Sequence, residues 1–535
     1  MSQRFGPITV ALTGQFPLVL VVSALLALVV SVFLLRRYRR AVIRSMRRRS
    51  RSEILELKGF LPAEPEHKPP KAPLSFSFVT RDSENSKSRG AAKQLYNDAM
   101  RGPWLGALVY GIAGCGFAAA MSAAFLLSSR MEFSPLRFLF LTWVNGWPIV
   151  FTTYCAAAVS RRAKLIVALA YLALGISLGA LLLTRSPDTT AGRLAVLWVS
   201  ANIPSSILLL IFLHRRIRAV GPLVLLFMIT GVTGAIVIVQ LVEKNPKLLG
   251  AIRDFSISIG IGPIGAVLAL YLIGFITFAV LGWFVVGSIR ALYQRKQISE
   301  QSVLIDTIWL VFGIVNAVGL AVQGPWWILS GPAAFVLFKL LVIAGFRALG
   351  RKRAAERSGP RLLLLRVFAL GERSEKLCDS LGKTWRAVGS IQMIAGPDLA
   401  TSAIAPHEFL DFLGGKLARR FIDSGRTLDV RVDQMELAPD REGQYRVTEF
   451  FCHDDTWKLT LARLADESDA LLMDLSGFSQ KNPGCVSEIN ELFNLVPLRR
   501  LVFAVDETTD QPFLRQTMQH AWAQLKDRSP NHRLP

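Results

Sequence analysis

Residues 17–51 read PLVLVVSALLALVVSVFLLRRYRRAVIRSMRRRSR. A stretch without a single charge, Pro17 to Leu35, gives way to nine arginines at Arg36, Arg37, Arg39, Arg40, Arg44, Arg47, Arg48, Arg49 and Arg51. A helix rises about 1.5 Å per residue, so the apolar part reaches across a hydrocarbon layer of about 30 Å. A secretory signal carries its positive charge ahead of the apolar core and a small-residue cleavage site behind it. Here only Arg4 precedes the core. The segment therefore reads as an uncleaved anchor, with its N-terminus outside and its arginines in the cytoplasm.

The rest of the first two thirds repeats this logic. With 52% hydrophobic residues in 535, the chain is too apolar for a water-soluble protein. Hydropathy marks about nine spans: 17–35, 104–127, 136–159, 165–184, 194–213, 220–242, 263–287, 303–322 and 325–346. Alternate loops carry the cations expected of cytoplasmic loops, at Arg161, Arg162 and Lys164, at Arg215, Arg216 and Arg218, at Arg290, Arg295 and Lys296, and from Arg347 to Arg353. An odd number of spans starting outside leaves the C-terminus in the cytoplasm. The pair around Gly324, Pro325, Trp326 and Trp327 reads as a tight hairpin or a re-entrant turn. Residues 52–100, with prolines at 62, 65, 69, 70 and 73, read as a semi-extended cytoplasmic tether. This gives an anchor over 1–51, a linker over 52–100, a multi-span domain over 101–350 and a separate domain over 361–535.

Charge excludes nucleic acid as the main partner. The net +23 divides into 40 Lys and Arg against 14 Asp and Glu in residues 1–360, and 22 against 25 in residues 361–535. The excess lies in the membrane half, beside the bilayer it is expected to contact. The five cysteines are scattered and form neither a disulfide framework nor a zinc pattern. Within the spans the ionisable residues of interest are Asp306 and Lys339, because charge there is costly. Both fall toward the inner leaflet of consecutive spans, where they can pair, and interfacial placement is a simpler account than an ion pathway. Gly260-Ile-Gly-Pro-Ile-Gly265 matches a dinucleotide-binding glycine pattern in letters only. No strand precedes it, so it reads as a turn or as helix packing.

From Arg361 the period changes. Short β-rich runs at 362–368, 390–394, 446–452, 470–475 and 501–505 alternate with helical stretches at 373–387, 406–423, 456–466, 484–495 and 511–526. That alternation implies an α/β doubly wound parallel sheet, whose ligands bind at the carboxyl ends of the strands. Cys452-His453-Asp454-Asp455 could be taken for a metal site, but neighbouring strand residues point to opposite faces, and Asp454 or Asp455 capping the next helix is the plainer reading.

The most informative segment is SDALLMDLSGFSQKNPGCVSEINEL, residues 468–492. An apolar strand runs through Asp474 into Ser476 and Gly477, a loop follows, and a helix opens with Cys485 and Glu488 in its first turns. Ser at a strand end followed by Cys-x-x-Glu resembles the Toll/interleukin receptor (TIR) domain, and the unit is also similar to nucleoside deoxyribosyltransferases. Gly484 and Ile489 depart from the TIR motif's Trp and Leu, and residues 406–452 read as an insertion. The resemblance implies a flavodoxin-like sheet and cleavage of an N-glycosidic bond. Glu488 would be the catalytic carboxylate, and Arg373, Asp474, Ser476, Gly477 and Cys485 would line the substrate site. No cofactor is implied. A nucleotide-type molecule such as NAD would be substrate, with the bilayer and a second copy of the chain as further partners. The alternative is a membrane channel, transporter or scaffold whose C-terminal domain only regulates or binds a partner.

Overall fold

The computed structural model describes residues 6–46, 86–155, 160–186, 189–212, 220–243, 245–294, 299–321, 323–349, 359–366, 381–382, 384–395, 406–435, 437–453 and 455–532. The chain divides into two compact units. One comprises Met1–Arg37, Ala107–Leu349 and Ala405–Leu410, and the other comprises Tyr38–Gly106, Gly350–Ile404 and Asp411–Pro535.

The first unit is helical. Its elements are α1 (Gly6–Met46) up to Arg37, α2 (Ser86–Ser128) from Ala107, α3 (Pro135–Asn145), α4 (Trp147–Cys155), α5 (Arg161–Arg185), α6 (Ala191–Phe212), α7 (Gly221–Glu243), α8 (Pro246–Ser258), α9 (Pro263–Gln294), α10 (Glu300–Ala321) and α11 (Ser330–Ala348). Five helical stretches among the described residues are long and apolar enough to cross a membrane: Lys93–Ser128, Arg162–Arg185, Ala191–Phe212, Ile264–Phe284 and Trp326–Ala348. The expected count of nine is corrected to these five candidates. Span 136–159 fails because Gly146 ends α3 and Pro148, in the first turn of α4, has no N–H and clashes with the preceding turn. On the expected 303–322 span the described residues give a shorter apolar helix, Gln301–Ala317. The tether is also corrected, since α2 begins at Ser86 and makes 86–100 helical; residues 52–85 lie outside the described residues.

Side chains repair the break at Gly146. The Asn202 amide donates to the Val144 carbonyl at 3.1 Å, and Asn145 donates to Leu141 O and to Ser122 Oγ, both at 3.1 Å. A freed carbonyl in an apolar surround needs such a donor. Elsewhere aromatic and aliphatic side chains fill the core: Tyr110 and Phe117 of α2 pack with Trp309 of α10 and Phe338 of α11. The Trp326 region forms a 3-10 turn, Pro325–Leu329, between α10 and α11. Gly260 sits in the turn between α8 and α9 with φ +71°, so the glycine pattern there is a turn.

The second unit carries a six-stranded parallel sheet: β1 (Arg361–Arg366), β2 (Ser390–Ala395), β3 (Phe421–Ile422), β4 (Val447–Cys452), β5 (Ala470–Asp474) and β6 (Leu501–Ala504). The order is β3-β4-β2-β1-β5-β6. Five strands match the expected runs closely. The sixth, β3, replaces the end of the expected helix 406–423, because α12 (Pro406–Leu413) stops before Gly414 and Gly415, the latter with φ +68°. Without the edge strand β3, the order by sequence rank is 3-2-1-4-5. A flavodoxin-like sheet runs 2-1-3-4-5. The difference arises because 406–446 carries the chain outward past β2 instead of back across β1.

Leu362 to Leu365 are all buried, as in a strand covered on both faces. One face, with Leu363, Leu365, Phe450, Leu471 and Met473, packs under α13 (Gly425–Asp433), α14 (Trp457–Glu467), α15 (Pro483–Leu495) and α16 (Gln511–Ala523). The other holds Leu362, Leu364, Ile391 and Met393 against Leu381 and Trp385. Next to these, Ala395, Leu417, Phe421 and Phe451 are covered by Tyr38, Val42 and Met46, the tail of α1. Their spacing of four residues puts all three on one helical stripe.

Candidate active site

β1 and β5 are neighbours, and the chain leaves them in opposite directions, β1 toward β2 and β5 toward β6. This is the topological switch point, where doubly wound sheets take ligands. Arg366 and Asp474 are in register at its carboxyl edge. Asp474 is buried, and its Oδ1 accepts from Ser476 N at 3.0 Å and Ser476 Oγ at 2.6 Å. That tight turn fixes the start of the loop, and Gly477 continues it at φ +67°, a conformation that favours glycine.

A second loop pins the first. Asp506, just beyond β6, accepts from Gly477 N at 3.3 Å, Thr508 N at 3.0 Å, Thr508 Oγ1 at 2.7 Å and Thr509 Oγ1 at 3.2 Å. Burial would raise its pKa, but these donors outweigh it and hold the carboxyl below the ordinary range. The expectation of a site at the carboxyl ends of the strands did not name Asp506. Its signal was Asp-x-Thr-Thr, a pattern that bonds its own backbone.

Helix α15 follows with Pro483 in its first turn, where no donor is lost. Cys485, Glu488, Ile489 and Leu492 form its buried face. Three of these are apolar or nearly so and join the main core. Glu488 is 4% exposed, and its Oε2 has no hydrogen-bond partner among the described residues. Burial pushes its pKa up to about 8. A lone carboxyl held neutral in an apolar surround is costly, and such groups cluster at functional sites.

The expected site residues therefore fall into two groups. Asp474, Ser476 and Gly477 form one hydrogen-bonded strand-end loop, and Cys485 and Glu488 lie one turn apart on the helix that the loop feeds. Arg373 lies outside the described residues, as do most of the segments after β1 and β2.

The Cys452-His453 motif does not converge. Cys452 turns to the main core and donates to Thr460 Oγ1 at 3.3 Å, with burial pushing its thiol up to about 12. His453 turns to the other face. Among the described residues no three His, Cys, Asp or Glu are grouped to hold a metal. The helix cap is also corrected: Thr456 occupies the cap position of α14 and its hydroxyl accepts from His453 N at 3.0 Å, while Asp454 lies outside the described residues. In the helical unit Lys339 Nζ donates to Asp306 Oδ2 at 2.6 Å, so these two do pair. No protein-family model, curated protein or solved structure matches the chain.

Proposed function

We propose that the chain is a polytopic membrane protein whose α/β unit binds a nucleotide-type small molecule at the β1/β5 switch point and cleaves its N-glycosidic bond with Glu488. The observation that carries this reading is the buried carboxyl of Glu488, whose Oε2 has no partner among the described residues, near the start of the helix leaving that switch point. A carboxyl with a pKa of about 8 is protonated at neutral pH. It gives up its proton when positive charge comes close, as it does on a ribose ring losing nicotinamide or a base. The C1′–N bond breaks, the electron pair leaves with the base, and the Glu488 carboxylate stabilises the oxocarbenium carbon until water adds and passes its proton back to Glu488. Asp474, Ser476 and Gly477 shape the strand-end wall. TIR-like chemistry rests here on Glu488 and its loop, since the strand order departs from a flavodoxin-like sheet.

A cytoplasmic α/β unit is supported by the packing of Tyr38, Val42 and Met46, which stand among the arginines that the positive-inside bias assigns to the cytoplasm, on its sheet.

The test uses the full-length chain in lipid nanodiscs incubated with NAD and with nucleosides, following base release by chromatography. Release that Glu488→Gln abolishes supports the reading. The absence of both release and binding for all of these compounds overturns it.

A further inference from the structure

His453 sits immediately after β4, 7% exposed, and stacks on Phe421 with ring centroids 5.0 Å apart. Its Nδ1 lies 2.8 Å from the Ser45 carbonyl oxygen, and its Nε2 lies 2.7 Å from Asp423 Oδ1. Both partners are acceptors. A backbone carbonyl never donates, and the Asp423 side chain is half-exposed to water, where it is a carboxylate. A neutral imidazole has one N–H and can satisfy only one of them; the other contact then sets a lone pair against a lone pair. Only the imidazolium, with a proton on each nitrogen, makes both bonds.

Ser45 is no ordinary partner. It lies in the last turn of α1, whose final carbonyls have no intrahelical donor and carry the negative end of the helix dipole. A cation there satisfies one of those carbonyls and favours that end. Just upstream, Tyr38, Val42 and Met46 cover Ala395, Leu417, Phe421 and Phe451, and Tyr38 meets Phe412 edge-on at 5.4 Å. The charged groups on the surrounding elements are Arg39, Arg40 and Arg44 on α1, the Arg420–Asp411 pair at 2.7 Å, Arg419 beside it, Arg426 at the start of α13, and Asp455 and Lys458 beyond β4. The carboxylate bonded to the ring is Asp423.

We propose that His453 is a proton-dependent clasp between the C-terminal end of the first helix and the α/β sheet, closed when the ring carries both protons and loosened when it carries one. The apolar stripe supplies the docking surface, and the ring decides how firmly the helix end is held. Loss of the proton leaves one of the two charge-assisted bonds unmade, which weakens the hold by roughly tenfold.

The experiment is hydrogen exchange of the peptide covering 35–46 in the full chain in nanodiscs, at pH 6 and pH 8.5. Rates are corrected for intrinsic exchange and referred to the β5 peptide, so that a general change in sheet stability cancels. Protection is expected to fall roughly tenfold at the higher pH in the wild type. His453→Gln, whose amide donates from one end only, should show the lower protection at both pH values. Asp423→Asn places an amide that can donate to Nε2, so the neutral ring makes both bonds and the fall should flatten. Equal wild-type protection at both pH values, the same fall in His453→Gln, or an undiminished fall in Asp423→Asn overturns the clasp.

Discussion

Replacing Glu488 by Gln should change how the stability of the α/β unit depends on pH. An unfolded glutamate titrates at its ordinary value of 4.5, whereas burial holds the folded one at about 8. The folded state therefore binds the extra proton between these values. Stability is greatest below pH 4.5 and is lost as pH rises through the window up to about 8. At pH 5 the cost is about 1 kcal/mol, at pH 7 about 3 kcal/mol, and above pH 8 it levels off near 5 kcal/mol. The neutral amide of Glu488→Gln has nearly the same shape and removes the proton-linked part. The variant should match the wild type near pH 5 within about 1 kcal/mol and exceed it by several kcal/mol at pH 8.5. Hydrogen exchange of the β1 and β5 peptides in the full chain reads this, because both strands lie in the core that Glu488 faces. Parallel pH profiles for the two proteins would refute the reasoning, since a carboxyl that ionises freely in the folded state cannot be buried and unpartnered.

Val42→Asp places a charge at a fully buried position of the α1 stripe and should cost at least about 3 kcal/mol, seen as new tryptic cleavage between Arg39 and Arg44. By the same logic a fragment of 355–535 should aggregate or bind hydrophobic dyes, because it lacks the residues covering Phe421 and Phe451. Asp306→Leu leaves the Lys339 ammonium alone and should cost about 2 kcal/mol in detergent-unfolding titrations, while the double change with Lys339→Leu should recover most of it. Gly331→Ala should loosen α10 against α11, because the added methyl would meet the backbone carbonyl of Gly313; tryptophan fluorescence of Trp309 reports the shift, and unchanged emission and stability would count against this packing.

Much of the sheet was legible in the chain. Leu362 to Leu365 and Ala470 to Asp474 are short apolar runs bounded by polar residues, and periodicity alone locates such strands. The α15 face was legible for the same reason, since Cys485, Glu488 and Leu492 recur at helical spacing. Strand β3 was hidden because two residues carry no period, and Phe421-Ile422 continue an apparently helical run once Gly415 is overlooked. Strand order was hidden too, because the route of 406–446 is a tertiary choice. Among the spans, local hydropathy could not see that Gly146 and Pro148 break a continuous apolar stretch. Of the site, the Asp474–Ser476 turn follows from residues two apart, whereas the link from Asp506 to Gly477 joins two loops that only the fold brings together. The docking stripe left a local trace: Tyr38, Val42 and Met46 stand at intervals of four among the arginines.

The bond from His453 to Ser45 joins residues 408 positions apart. A ribosome adding about 5 to 20 residues per second makes the second partner roughly 20 to 80 s after the first. Throughout that interval the stripe on α1 is finished and uncovered, waiting for a sheet whose strands are made hundreds of residues later. Assembly of the α/β unit is thus bound to the order of synthesis. The first helix must keep Tyr38, Val42 and Met46 clear of lipid and of other chains until its own C-terminal third arrives, so biogenesis is the stage at which this protein is most open to misassembly or to assistance by a chaperone.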